Sequence, residues 1–144
     1  MKLSLQTDYS LRTLMFLASH PGRQTVEAVA RYYKVSEPHI AKVVNQLARF
    51  GFIRSIRGAG GGIELGKKPH DIVVGDVIQA VEGTTHLLDC IGNDDVCRIQ
   101  LQCRLRGILV HAEELQMNYL RTIKLSDIVP IPSEEQLNLV QIQA

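Results

Sequence analysis

"TVEAVARYYKVSEPHIAKVVNQLARFGFIRSIRGAGGGIEL", Thr25 to Leu65, changes its pattern twice and so decides the fold. The opening half places apolar residues at steps of three and four, the period of an amphipathic helix. Thr25 caps a first helix whose inward residues are Val26, Val29, Ala30 and Tyr33. After a break at "KV", Ser36 caps a second, with Glu37 and Pro38 in an opening turn where a missing N–H costs nothing. Ile40, Val43, Val44 and Leu47 form its apolar face, and Gly51 stops it. Two short helices joined by a tight turn make a helix-turn-helix, whose second helix enters the major groove of DNA. On the side away from the core that helix carries Ser36, His39, Lys42 and Arg49, with Pro38 at its start. Then "FIRSI" and "IEL" read as strands joined by the glycine-rich turn "RGAGGG". The hairpin is a wing, and its thin tip, with Arg57 and Gly60, suits a narrow minor groove of enhanced negative potential. A phosphate-cradling nucleotide loop is set aside: no Lys-Ser/Thr pair follows the glycines, and a strand stands where such a loop needs a helix.

Before this stretch, Tyr9, Leu11, Leu14, Met15, Leu17 and Ala18 form a helical stripe from Thr7 to Ala18, with Thr7 or Asp8 as cap and first-turn acid. Asp8 and Arg12 interrupt the apolar run, so the N-terminus is neither a signal peptide nor a membrane span. A cytoplasmic protein without membrane partners is expected. After the wing, "DIVVGDVIQAVEG" reads as a short helix whose Val74, Val77, Ile78 and Val81 complete the same core.

Charge divides the chain. Residues 1–70 hold 11 Lys/Arg against 4 Asp/Glu, a net of +7, whereas residues 71–144 hold 5 against 11, a net of −6. Such a split points to a polyanionic partner for the first half only, double-stranded DNA above all.

All 3 cysteines fall in "CIGNDDVCRIQLQC", Cys90 to Cys103. In a reducing compartment clustered cysteines bind metal or sense redox change more often than they form disulfides. Three thiolates are one ligand short of what a tetrahedral zinc or a cubane iron-sulfur cluster takes, and the spacing matches no ferredoxin pattern. Beyond the loop, "CRLRGILVHAEELQMNYL" sets Leu105, Ile108, Ala112, Leu115 and Tyr119 at alternating steps of three and four, the seam of a two-helix coiled coil. A helix packing on its own domain would look similar, but the first domain already has enough apolar faces to close, which favours a homodimer.

The fold class expected is therefore mainly α: a winged helix-turn-helix with a small β-hairpin wing and a long C-terminal dimerisation helix. Its parts are residues 1–82 as the DNA-binding domain, 83–102 as the cysteine loop, 103–129 as the dimerisation helix with a final helical turn, and 130–144 as a mobile tail. The order of helix one, helix-turn-helix, "IRGAGGGIEL" wing, "VGDVIQAVEG" helix, cysteine loop and long helix resembles the Rrf2 family of bacterial winged-helix regulators, up to about Val129. The resemblance implies a homodimeric transcription factor whose Cys90, Cys97 and Cys103 hold an iron-sulfur cluster, 4Fe-4S in the first instance and 2Fe-2S as the alternative. It also answers for the fourth ligand. The cluster-biogenesis subtype has a histidine three residues after the third cysteine, where this chain has Arg106. The nitric-oxide-sensitive repressor subtype has an aspartate opening helix one, and "TDY" here places Asp8 there, with "CRL" from Cys103 to Leu105 also similar. In that subtype the aspartate reaches the cluster from the partner subunit. A carboxylate, harder than a thiolate, would leave one iron exchangeable and open to a diatomic effector; taken alone, Asp8 is a first-turn acid.

Nitric oxide is accordingly the expected effector, with release of the operator on nitrosylation. An iron-responsive or thiol-oxidation regulator of the same family is the alternative, and an iron-sulfur electron carrier a more distant one. No enzyme is expected, since the chain offers no paired carboxylates, no nucleophile with a base at recognisable spacing and no cofactor loop.

Overall fold

Helix one begins earlier than its apolar stripe suggests. In the computed structural model, which describes residues 2–84 and 86–130, Ser4 is the cap: its Oγ accepts the Thr7 amide at 3.2 Å, and α1 runs Leu5–Ser19. The cap expected at Thr7 or Asp8 thus falls earlier, with Thr7 inside the helix, whereas Asp8 is the first-turn acid as expected. The fully buried side of α1 runs through Thr7, Ser10 and Thr13 together with Leu14, Phe16 and Leu17, while Tyr9, Leu11, Met15 and Ala18 only edge the core. Three hydroxyls can face inward because each is satisfied. Ser10 and Thr13 donate to the carbonyls of Gln6 and Tyr9, both at 2.7 Å, and Thr7 donates to Glu82. Hydroxyls bonded back to their own helix leave a slim surface that neighbouring helices can approach.

The helix-turn-helix follows as the sequence expects. Thr25 Oγ1 accepts the Ala28 amide at 3.0 Å, α2 spans Val26–Tyr33 and α3 spans Glu37–Arg49. Val29 and Ala30 of α2 meet Ile40, Val43, Val44 and Leu47 of α3 and Leu14 and Leu17 of α1 in one core. Strands β1 (Ile53–Ile56) and β2 (Gly62–Leu65) pair antiparallel, with Ile53 opposite Leu65 and Ile56 opposite Gly62. Gln24 and Ile63 exchange backbone bonds of 2.9 and 2.8 Å, which lays the segment before α2 along the wing. Gly62 follows from that: it adopts φ +146°, and a Cβ there would stand 2.6 Å from the Gln24 carbonyl oxygen. Part of the glycine-rich tip is thus a packing requirement of the wing itself.

Helix α4 (Val74–Glu82) buries Val74, Val77 and Ile78. A four-residue α5 (Asp89–Gly92) lies within the cysteine loop, α6 runs Arg104–Thr122, and α7 is a single turn, Leu125–Ile128. The chain then returns to its beginning. Val74 N–H donates to Ile123 O at 2.9 Å and Leu125 N–H to Ile72 O at 2.8 Å, and Leu125 is buried in the core of the winged helix. At Gly75 a Cβ would come within 2.7 Å of the Arg121 side chain, so only glycine lets the start of α4 meet the end of α6 this closely. The result is a mainly α, winged helix-turn-helix fold with one two-stranded hairpin. Apart from Pro130, the tail expected at 130–144 lies outside the described residues. Among the described residues no helix is long and apolar enough to cross a membrane.

Candidate functional site

Burial of the apolar face of α3 turns Ser36, Pro38, His39, Lys42 and Arg49 outward, and all five are exposed. The Ser36 hydroxyl does not cap the backbone; it lies 2.7 Å from His39 Nδ1 and so orients the imidazole. Asn45, one helical step past Lys42, shares this exposed face. It is absent from the residues named on sequence grounds, although its spacing is the same. On the wing, Glu64 faces two cations, Arg54 in a direct ion pair and Arg23 at 4.0 Å. Arg23 also donates from Nη1 to the Gly60 carbonyl at 2.6 Å, clasping the tip to the body of the domain. Arg57 and Gly60 are exposed there. Among the described residues Lys42, Arg49 and Arg57 have no ion-pair partner, so their charge is left for an external anion.

Cys90 sits in α5, Cys97 is exposed in the following turn, and Cys103 immediately precedes α6; all three are free thiols. Among the described residues no three His, Cys, Asp or Glu side chains are gathered into a group that could hold a metal ion. The chain therefore supplies the sulfurs without converging them. Their chemistry, uncrosslinked thiols on one short loop, fits the thiolate ligands that an iron-sulfur cluster takes. In the single chain Asp8 accepts from Arg12 Nε at 2.9 Å. That bond, with the Asp8 charge, raises the Arg12 pKa further above its ordinary value, and Arg12 also lies 5.8 Å over the Tyr33 ring.

The loop is held by residues that sequence reasoning passed over. Gln100, in a 3-10 turn, is only 7% exposed. It donates from Nε2 to the carbonyls of Cys90 and Asn93, at 3.0 and 2.6 Å, and accepts the Val96 amide at 3.1 Å. Arg106 donates to Cys90 O at 2.7 Å and Ile91 O at 3.4 Å. Two turns further along α6, Glu113 accepts the Leu87 amide and lies 3.0 Å from His86 Nδ1. Burial works to raise the Glu113 pKa, but these two partners outweigh it and hold the carboxyl below its usual range. At the loop's entrance, Glu82 accepts from Ser4 N at 2.6 Å and Thr7 Oγ1 at 2.5 Å. The Thr7 hydroxyl is the main reason that its pKa is depressed. Glu82 thereby ties the start of α1, which bears Asp8, to the last residue of α4.

Helix α6 has two working sides. At about 100° per residue, Arg106 and Glu113 share a side turned to the loop and α4. Leu105, Ile108, Ala112, Leu115 and Tyr119 share another, and every one of them is exposed in the single chain. Ile108 and Tyr119 are 64% and 66% exposed, unusual for residues of their size in a helix otherwise packed against its own domain.

Comparison with known proteins extends this picture. The Rrf2 family, described as "Iron-dependent Transcriptional regulator", matches residues 3–131. The HTH-type transcriptional regulator NsrR of Bacillus subtilis (strain 168) is 38% identical over 132 residues, which is 90% of this chain and 90% of the relative. The regulator of the same name from Shouchella clausii (strain KSM-K16) is 36% identical over 132 residues, 90% of this chain and 89% of the relative. Among solved structures, T. potens IscR superposes with a TM-score of 0.72 at 26% identity, over 89% of this chain and 85% of that one.

Proposed function

The chain belongs to the Rrf2 family, whose members are DNA-binding transcriptional regulators rather than enzymes, and from that premise we propose a homodimeric repressor whose cysteine loop holds an iron-sulfur cluster that reports nitric oxide. Residues 1–82, with α7 closing their core, bind the operator, the loop from residue 83 to Cys103 holds the cluster, and α6 pairs the subunits. Ser36, His39 and Lys42, with Pro38 at the head of α3, meet the major groove, while Arg57 and the Gly60 tip meet the minor groove. Two such heads bind half-sites about one DNA turn apart, roughly 34–36 Å or a multiple of it.

Cys90, Cys97 and Cys103 supply thiolates and the partner's Asp8 the fourth ligand. When bound, the 4Fe-4S cluster, or in the alternative a 2Fe-2S one, supplies iron that reacts with nitric oxide. The protein's own part is transmission. Asp8 has a second partner on its own helix, Arg12, so its charge stays compensated when it is not a ligand. Glu82 links the start of α1 to the entrance of the loop, and Arg106 and Glu113 link the loop to α6. Movement of the loop therefore reaches both the reading heads and the subunit seam.

The observation that carries this reading is the two-sidedness of α6, with the loop anchored on one side and an exposed apolar seam on the other. Native mass spectrometry of protein purified without oxygen tests it. A dimer with one cluster per subunit, lost on adding nitric oxide together with operator affinity, is expected. A dimer carrying zinc or no metal would leave the DNA-binding part standing and overturn the cluster. Loss of operator binding on iron chelation but not on adding nitric oxide would replace the effector by iron.

A further inference from the structure

We infer that Gln100 and Arg106 fold the cysteine loop before any metal enters it, so that the loop is a preformed receptor and not a segment that acquires structure around its metal. What the loop receives rests on the proposed function; how it is held does not.

Apolar burial does not hold this loop. Val96, Ile99 and Leu101 are 52%, 62% and 100% exposed, and α5, at four residues, is far below the length at which a helix persists by itself. A polar side chain takes the place of a core. Outside α1, Gln100 is the only buried polar or charged residue among those described, and it spends its burial on three separate points of the loop backbone, at Cys90, Asn93 and Val96. Three of the four bonds a carboxamide can make are used. Arg106 adds two donations to the end of α5, so the Cys90 carbonyl accepts from both side chains while its sulfur is left free. Several loop amides are satisfied as a result: Val96 by the Gln100 side chain, and Asn93, Gln100 and Cys103 by backbone turns that this pinning holds in place. Where metal binding drives folding, as in small zinc domains, the apo segment has no such internal bonds. Here the backbone is fixed by protein and only the sulfurs remain to be gathered.

Hydrogen–deuterium exchange on the full-length, reduced, metal-free protein, kept in chelator without oxygen, tests this directly. Loop amides over 90–103 should exchange more slowly than in an unstructured peptide of the same sequence. Gln100→Glu keeps the acceptor for Val96 but loses both donated bonds, and should raise exchange across the loop on the order of tenfold or more, since buried groups lose their partners. Arg106→Gln should raise it less and mainly near Cys90 and Ile91. Protection of α1 to α4 should not change in either variant, which separates loss of the clamp from loss of the fold. Carbamidomethylation of Cys90 by iodoacetamide should quicken in step. A wild-type loop that exchanges like free peptide, or a Gln100→Glu loop as protected as wild type, would overturn the inference. A protected loop that Gln100→Glu unlocks sustains it even if the wild type takes up no iron and sulfide; in that case the cluster reading is what fails.

Discussion

Glu82 is small in reach but sits where two elements join. Its carboxylate holds the Ser4 amide and the Thr7 hydroxyl, and its pKa in the fold lies below the ordinary value of 4.5. A carboxyl with a depressed folded pKa contributes stability that is complete above its unfolded pKa and fades as pH falls through the folded value. Glu82→Gln should therefore lower stability at neutral pH by about 1 kcal/mol, a Tm fall of roughly 2–4 °C for a domain of this size. Thermal unfolding curves of wild type and variant should converge in acid; a gap that persists there would mean that packing, not charge, is responsible. At the DNA face, Lys42→Ala and Arg57→Ala should each weaken operator binding, and each should reduce the slope of log affinity against log salt by about 1. Fluorescence anisotropy across a salt series reads both, and unchanged slopes would remove these residues from the interface. His86 shows the limit of single-residue reading. Nothing in its neighbourhood in sequence marks it, and its partner Glu113 lies 27 positions away.

At the level of elements, legibility followed locality. Helices α2 and α3 were readable because their signals are short-range: Thr25 at a cap, Pro38 in a first turn, and apolar residues at helical spacing that meet within one hairpin. The wing was readable for the same reason, as a glycine-rich turn between two short apolar runs. Helix α1 was read with its boundary late and its buried face incomplete: Leu14 and Leu17 are in the core as expected, but Thr7, Ser10 and Thr13 look like surface residues until their hydroxyl partners are seen. Gln100 was invisible from sequence for the same physical reason: a polar loop residue is buried only if the backbone it bonds has already gathered around it. Helix α6 lies between these cases, since its seam is periodic but stays exposed in the single chain, so that nothing within the fold accounts for it. Ile108→Glu should place a charge in that seam, shift the protein from dimer to monomer in analytical ultracentrifugation, and leave the far-ultraviolet circular dichroism spectrum intact. A dimer that survives both this change and Leu115→Glu would move the subunit contact elsewhere.

Across the whole molecule, the net of +7 before residue 71 and −6 after it separates the basic reading head from an acidic half that contains the loop and α6. The three-dimensional arrangement joins what the charge divides, because α7 closes the core that α1 to α3 begin. Leu125→Ala should cost about 2–5 kcal/mol, measurable by urea unfolding as a single transition at lower midpoint; a biphasic curve would show that head and tail melt separately. The sequence offered "LSDIV" only as a last helical turn, since four residues carry no periodicity that says which distant core they enter. The return of Leu125 also sets an order of events at birth. Domains commonly fold from the N-terminus while synthesis continues, at about 5–20 residues per second, but this reading head lacks part of its core until Leu125 has left the ribosome. The cysteines emerge earlier, so the thiols wait on an unfinished protein.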